Sequence, residues 1–176
     1  DKPYDGTTSA TLTGCTVGGV LSGDVVACSG TATFADASVG TGKTVTASGI
    51  ALTINSRFNG PNTNGTIAAG SGYPTTSTSD SLFGNTATFG GNTNIFPVFT
   101  LSHLTLGQTY DFKFFASRTG VSDNRETAYT IEGATTNVVT LDAANNVSNT
   151  VSQNGVLPDA LGRITIRMNP GGNNTN

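Results

Sequence analysis

A chain of 176 residues, 35% apolar and 11% charged, is long enough for one domain of ordinary size or two small ones. Its 8 basic and 11 acidic residues leave a net charge of −3 and a pI of about 4.8, with no basic run, which excludes the clustered Lys and Arg that nucleic-acid phosphates demand. No apolar stretch approaches the roughly eighteen residues of a membrane-crossing helix, so no membrane span is expected.

The pattern is all-β. Thr is the commonest residue, at about thirty copies beside 23 Gly, where Leu and Ala lead in an average chain. Thr is β-branched and favours a pleated surface, and no window carries the apolar spacing of an amphipathic helix. In chain order, SATLTGCTV, DVVACSGTATF and KTVTASGIALTI read as short strands punctuated by Gly40, Gly42 and Gly49. Cys15 and Cys28 flank turn signals at Gly18-Gly19 and Ser22-Gly23-Asp24, with no His or further Cys nearby to complete a metal site. A disulfide between adjacent strands is the expectation, contributing about 2–3 kcal/mol and placing the protein in an oxidising compartment. A start at Asp1 without a leader is what a processed product shows, and the Thr, Ser, Asn and Gly richness fits an extracellular protein.

Asn55 to Pro74 is rich in Gly, Asn, Ser and Thr and reads as a linker or long loop. Beyond it, Phe99-Thr100-Leu101, Tyr110 to Phe114 and Ile164 to Met168 alternate with period two, so that Tyr110, Phe112 and Phe114 share one face. Strands at this spacing, joined by polar turns, suggest an antiparallel sandwich of jelly-roll type. The organisation expected is a small β module over 1–54, a linker over 55–74 and a β-sandwich over 75–176.

Two resemblances add to this. DKPYDGTTSATLTG, SGDVV and GTATFADASVGTGKTVTASGIAL together resemble the YDG repeat of large bacterial surface adhesins. The resemblance implies a small β module strung along a secreted protein as stalk or spacer, without catalytic residues. The chain then passes to INSRFNGPNTNGTIAAGSGYP instead of a further family strand, so the module reads as cut short or fused. The ordered blocks Asp80 to Gly84, FTLSHLTLGQTYDFKFFASR, ETAYT, LDAANN and PDALGRITI are similar to β-sandwich modules attached to secreted bacterial proteins and polysaccharide-active enzymes. Such modules end on another apolar strand after the glycine turn, whereas this chain ends on NPGGNNTN. The resemblance therefore implies an open sheet edge, a hazard unless another strand covers it, and a strand from a neighbouring subunit would do so. Repeated head to tail, that contact gives a filament.

The motifs give catalysis little support. SDSLFG resembles the GDSL block of lipase-like esterases, but Ser79 stands in place of the Gly, and no Asp-x-x-His follows to supply a base for Ser81. The single imidazole, His103, reads as a surface or strand-edge residue. Asp80, Asp123, Glu126 and Asp159 are the carboxylates from which a glycosidase pair would be drawn. LDAANN and DNRE offer the oxygens that Ca²⁺ takes, without the spacing of a defined calcium loop, and no other cofactor is implied. Sequons occur at Asn64, Asn146 and Asn173.

The remaining signal is charge. Seven of the charged residues fall between Asp111 and Gly133: Asp111, Lys113, Arg118, Asp123, Arg125, Glu126 and Glu132. The reading is a β-hairpin of Tyr110–Ser117 and Glu126–Glu132 with RTGVSDNR as its loop. Arg118 and Arg125, beside Asp123 and Glu126, either brace the loop from within or bind sugar hydroxyls or a neighbouring subunit. An exposed aromatic suited to sugar stacking is Tyr73. The sequence thus points to a secreted bacterial surface protein of structural or adhesive role that self-associates, with a non-catalytic polysaccharide-binding module as the alternative.

Overall fold

In ITIRMNP, Ile164 and Ile166 are 0% and 1% exposed while Arg167 faces solvent, which is the period of a strand with one face in a core. The same alternation recurs in the strands around it. A computed structural model describes residues 5–10, 31–40, 43, 45–68 and 72–175. The expected disulfide between Cys15 and Cys28 lies outside these residues. The chain divides into two compact units, Asp1–Ile50 and Ala51–Asn176.

In the first unit β1 (Ser9–Ala10), β2 (Thr31–Phe34) and β3 (Val45–Ser48) form an antiparallel sheet in that order. Ahead of β1, the Asp5 carboxylate accepts bonds from both the N–H and the hydroxyl of Thr7, and Gly6 between them takes φ +73°. A side-chain-closed turn with a left-handed centre explains why Asp and Gly stand together there. Between β2 and β3, Asp36 receives the Lys43 ammonium and the Ser38 N–H, which lower its pKa to about 2.

The second unit comprises β4 (Ala51–Ser56), β5 (Gly60–Asn62), the helical turn α1 (Thr75–Thr78), β6 (Ser81–Phe83), β7 (Val98–Ser102), β8 (Tyr110–Phe114), β9 (Glu126–Glu132), β10 (Thr136–Asp142), β11 (Val151–Val156) and β12 (Ile164–Pro170). Five of these strands make one antiparallel sheet in the order β10-β9-β12-β7-β4, while β8 pairs with β11 and β5 with β6. The fold is all-β with several antiparallel sheets, as expected. Among the described residues no helix is long and apolar enough to cross a membrane.

The core is built by two of these sheets. Tyr129 and Ile131 from β9, Leu141 from β10, Ile164 and Ile166 from β12 and Val156 from β11 are all buried. Tyr110, Phe112 and Phe114 of β8 pack against them from one face, with Asp111 and Lys113 on the other. The Phe114 and Tyr129 rings stack with centroids 4.2 Å apart. Burying one large apolar side chain completely stabilises the fold by about 1.5–3 kcal/mol, so this cluster carries most of the unit's stability. The sheet's opposite face is polar: Thr100 shares a hydroxyl bond with Thr165 at 2.9 Å and donates to Asn55 at 2.7 Å.

Three expectations are corrected. The segments Tyr110–Ser117 and Glu126–Glu132 do not form a hairpin, because β8 pairs with β11 whereas β9 lies between β10 and β12. The connection between them is too long for a tight turn, and the β8 aromatics pack across the core onto Tyr129, burying their rings. Part of the segment expected as a linker is strand: β4 runs to Ser56, β5 pairs with β6, and the boundary of the compact units falls at Ile50. Nor is a strand missing beside the last one. β12 is bonded on both sides, by β7 and β9, and its glycine turn folds back so that Gly171 N–H reaches the Glu126 carbonyl at 2.8 Å.

The open edge lies elsewhere. Opposed residues of an antiparallel pair project to the same face, so Leu52, opposite Leu101, and Ile54, opposite Phe99, belong to the core face. Both are nevertheless exposed, at 59% and 54%. Core-forming cover stops at β7. Replacing Ile131 by Ala should therefore cost about 2–5 kcal/mol in urea unfolding, whereas Leu52→Ser or Ile54→Ser should cost no more than about 0.5 kcal/mol.

Candidate functional site

The β5–β6 ribbon stands against the segment that follows Phe114, and a cleft of about 480 Å³ opens between them. Its floor reaches the sheet at Thr127, Tyr129 and Met168. Burial pushes the Tyr129 phenol up to about 12, so this floor is uncharged. Its walls are the ribbon, the hairpin of residues 85–95, and Ser117 and Arg118. The hairpin turns on Gly90 and Gly91, at φ +57° and +78°, with Phe89 and Asn92 exchanging backbone bonds of 2.8 and 3.0 Å. Two successive left-handed residues make the tight turn that strand twist favours, a conformation Gly adopts without strain. The turn presents Phe89 at 62% exposure, its ring edge-on to Phe83 with centroids 5.4 Å apart.

The wall at Ser117 is held from below. The Ser117 side chain is 2% exposed, donates to the Asn146 carbonyl at 2.7 Å and accepts the Thr66 N–H at 2.9 Å. Asn146, 3% exposed, spends its amide on Ala116 and Asn149 carbonyls and its oxygen on Ser148 and Asn149 N–H groups. Asp142 accepts from the N–H groups of Arg125 and Ala144 and from the Asn124 amide. The oxygens of LDAANN are thus aimed at N–H donors within the fold, an arrangement that suits loop bracing and not cation ligation. Among the described residues no three His, Cys, Asp or Glu converge as a metal site.

The expected site residues separate into three places. Arg118 and Arg125 line the cleft; Tyr73, Asp123 and Glu126 do not. Arg125 grips Asp123 with two parallel bonds of 3.0 Å, a bidentate pair that holds the Asp123 carboxyl below its ordinary range. Arg118 makes a single 3.3 Å bond, from Nη1 to Asn62 Oδ1. Glu126 accepts the N–H and side-chain amide of Asn173, anchoring the C-terminal segment. Tyr73 packs on Phe115 with centroids 6.0 Å apart and lies 5.8 Å from the Lys113 ammonium. Asp123, Arg125 and Glu126 are thus all engaged in bonds within the fold.

The other candidates also fall outside a common centre. Ser81 lines the cleft and accepts a 3.2 Å bond from Asn62, whereas His103 is exposed at the end of β7 with φ +61° and does not line it. Asp80 and Asp159 do not line the cleft either. Sequence reasoning missed Phe89 and Asn62. The Phe89-Gly90-Gly91-Asn92 stretch was the available signal, since two successive Gly mark a hairpin turn with Phe89 at its tip.

Residues 1–62 match the YDG-domain family model. No curated protein and no solved structure matches the chain. The YDG match passes the boundary of the compact units at Ile50 and takes in β4 and β5. Its final residue, Asn62, is the one whose amide bonds the Ser117 carbonyl at 2.9 Å and whose oxygen receives Arg118.

Two outcomes follow from this geometry. A carboxyl whose pKa is lower folded than unfolded adds stability above its ordinary value and loses it as pH falls through the folded value. An NMR titration should therefore give Asp123 a midpoint below that of an ordinary Asp, and Arg125→Ala should move it back upward. Asn146→Ala leaves four backbone groups without their partners and should cost about 2–4 kcal/mol in thermal or urea unfolding.

Proposed function

We propose that the protein is an extracellular component of a bacterial surface protein, with a structural or adhesive role. The observation that carries this reading is the YDG match over residues 1–62, in a chain whose described residues form only antiparallel sheets and one helical turn. YDG-type repeats resemble the spacer modules of surface adhesins, and the second unit is the element such a spacer would display. The jelly-roll-like sandwich is the finer architecture we assign to that unit, on the packing of the β8–β11 ribbon against the five-stranded sheet.

Self-association through strand addition is the assembly we propose, at an edge other than the one first expected. β4 is the outermost strand of its sheet, and its exposed Leu52 and Ile54 give an added strand apolar partners on the core face. Sugar binding by the second unit is the second reading, favoured by the cleft and the exposed Phe89 at its wall.

Sedimentation velocity with negative-stain electron microscopy tests the assembly. Filaments or a ladder of oligomers, abolished by Ile54→Lys, are expected. A monomer at all concentrations would end the strand-addition proposal. Antibody labelling of intact cells tests the surface location separately.

A further inference from the structure

The cleft holds two guanidinium groups and no carboxylate, although acidic residues outnumber basic ones in the chain. Its two cations are not equivalent. Arg125 is neutralised by Asp123 through paired bonds, whereas Arg118, half-buried, gives one long bond to a neutral amide oxygen. A half-buried guanidinium with a single side-chain bond to a neutral oxygen is a ready anchor for a carboxylate. Two further groups flank it. The Phe89 ring is 62% exposed, and Asn64 is exposed on the adjoining ribbon, its carbonyl fixed by Thr119 through bonds of 2.7 and 2.9 Å. Asn85, at the base of the Phe89 hairpin, gives its amide to the Ala87 and Asn92 carbonyls at 2.6 and 2.9 Å, which stiffens the arm carrying the ring.

We propose that this cleft binds an acidic glycan, with the carboxylate of a uronic acid unit on Arg118 and the apolar face of a pyranose ring on Phe89. This rests on the sugar-binding reading above and names its ligand class. Charge favours the acid, since among the described residues Arg118 has no carboxylate bonded to it and feels Asp123 only at a distance. Chemistry favours a sugar over an acidic peptide: the lining supplies Asn and Thr side chains and an aromatic face.

The test is calorimetric titration of the full chain with hexamers of galacturonic, glucuronic and mannuronic acid, with their carboxyl-reduced neutral forms and with hexaglutamate. At least one uronate hexamer should bind, and its reduced form should bind at least tenfold more weakly. Arg118→Ala should weaken binding about 10- to 100-fold and Phe89→Ala about 3- to 10-fold. Phe89 is exposed, so its variant should fold normally and report on contact alone. Equal binding of uronate and reduced hexamers, with loss on Phe89→Ala, would overturn the acidic assignment and leave sugar binding standing. Binding of no hexasaccharide would overturn both, and equal binding of hexaglutamate would replace the glycan by an acidic peptide. Uronate binding unchanged by Arg118→Ala would remove it from this cleft.

Discussion

The second unit depends on one buried polar junction. Ser117 sits between the Asn146 carbonyl and the Thr66 N–H, and Asn146 in turn closes its own turn and holds Ala116. Three segments far apart in sequence, the stretch after β5, the exit of β8 and the turn between β10 and β11, meet at these two side chains. Polar groups out of reach of water are costly unless each is satisfied, so the junction has one workable arrangement. The adjoining Thr78 hydroxyl, donating to the Thr66 carbonyl at 2.9 Å, extends the same constraint to α1. The apolar core supplies the larger share of stability, but it tolerates rearrangement more readily than this junction does.

The cleft is a by-product of that constraint. With Ser117 fixed, Arg118 must leave the chain on the side facing β5, where Asn62 receives it. Asp123 bonds Arg125 and acts on Arg118 only through its charge at a distance. The charge concentrated in this part of the sequence is mostly consumed in setting that geometry. What is left over is a single cation and a projecting ring.

Period-two alternation made β8 and β12 legible, and their inward residues fell where the pattern put them, because a strand has only two faces. What alternation cannot convey is which strand lies beside which. Tyr110 to Phe114 and Glu126 to Glu132 are consecutive strands and read naturally as a hairpin, yet they occupy different sheets, a choice made by ring stacking across the core. The stretch 55–74 looked like a linker because a three-residue strand containing Gly60 and Pro61 has no pattern to detect. Arg118 and Arg125 were visible as a charged cluster, but the difference between a committed and an uncommitted guanidinium lies in partners such as Asn62, far away in sequence. Tyr73 reads as an exposed stacking ring in the sequence, whereas the structure lays it on Phe115 and exposes Phe89.

The YDG match and the compact units disagree about where one element ends and the next begins, by the length of β4 and β5. The difference is physical: β4, which the match includes, is an outer strand of the following sheet, and β5, on which the match ends, pairs with β6. A gene rearrangement that cut at the end of the repeat would carry away both strands and with them Asn62, leaving Arg118 without the oxygen that orients it. A cut at Ile50 would transfer the second unit whole. The repeat by sequence is therefore not the compact unit, and any array built from such units would have to be copied with an offset of two strands.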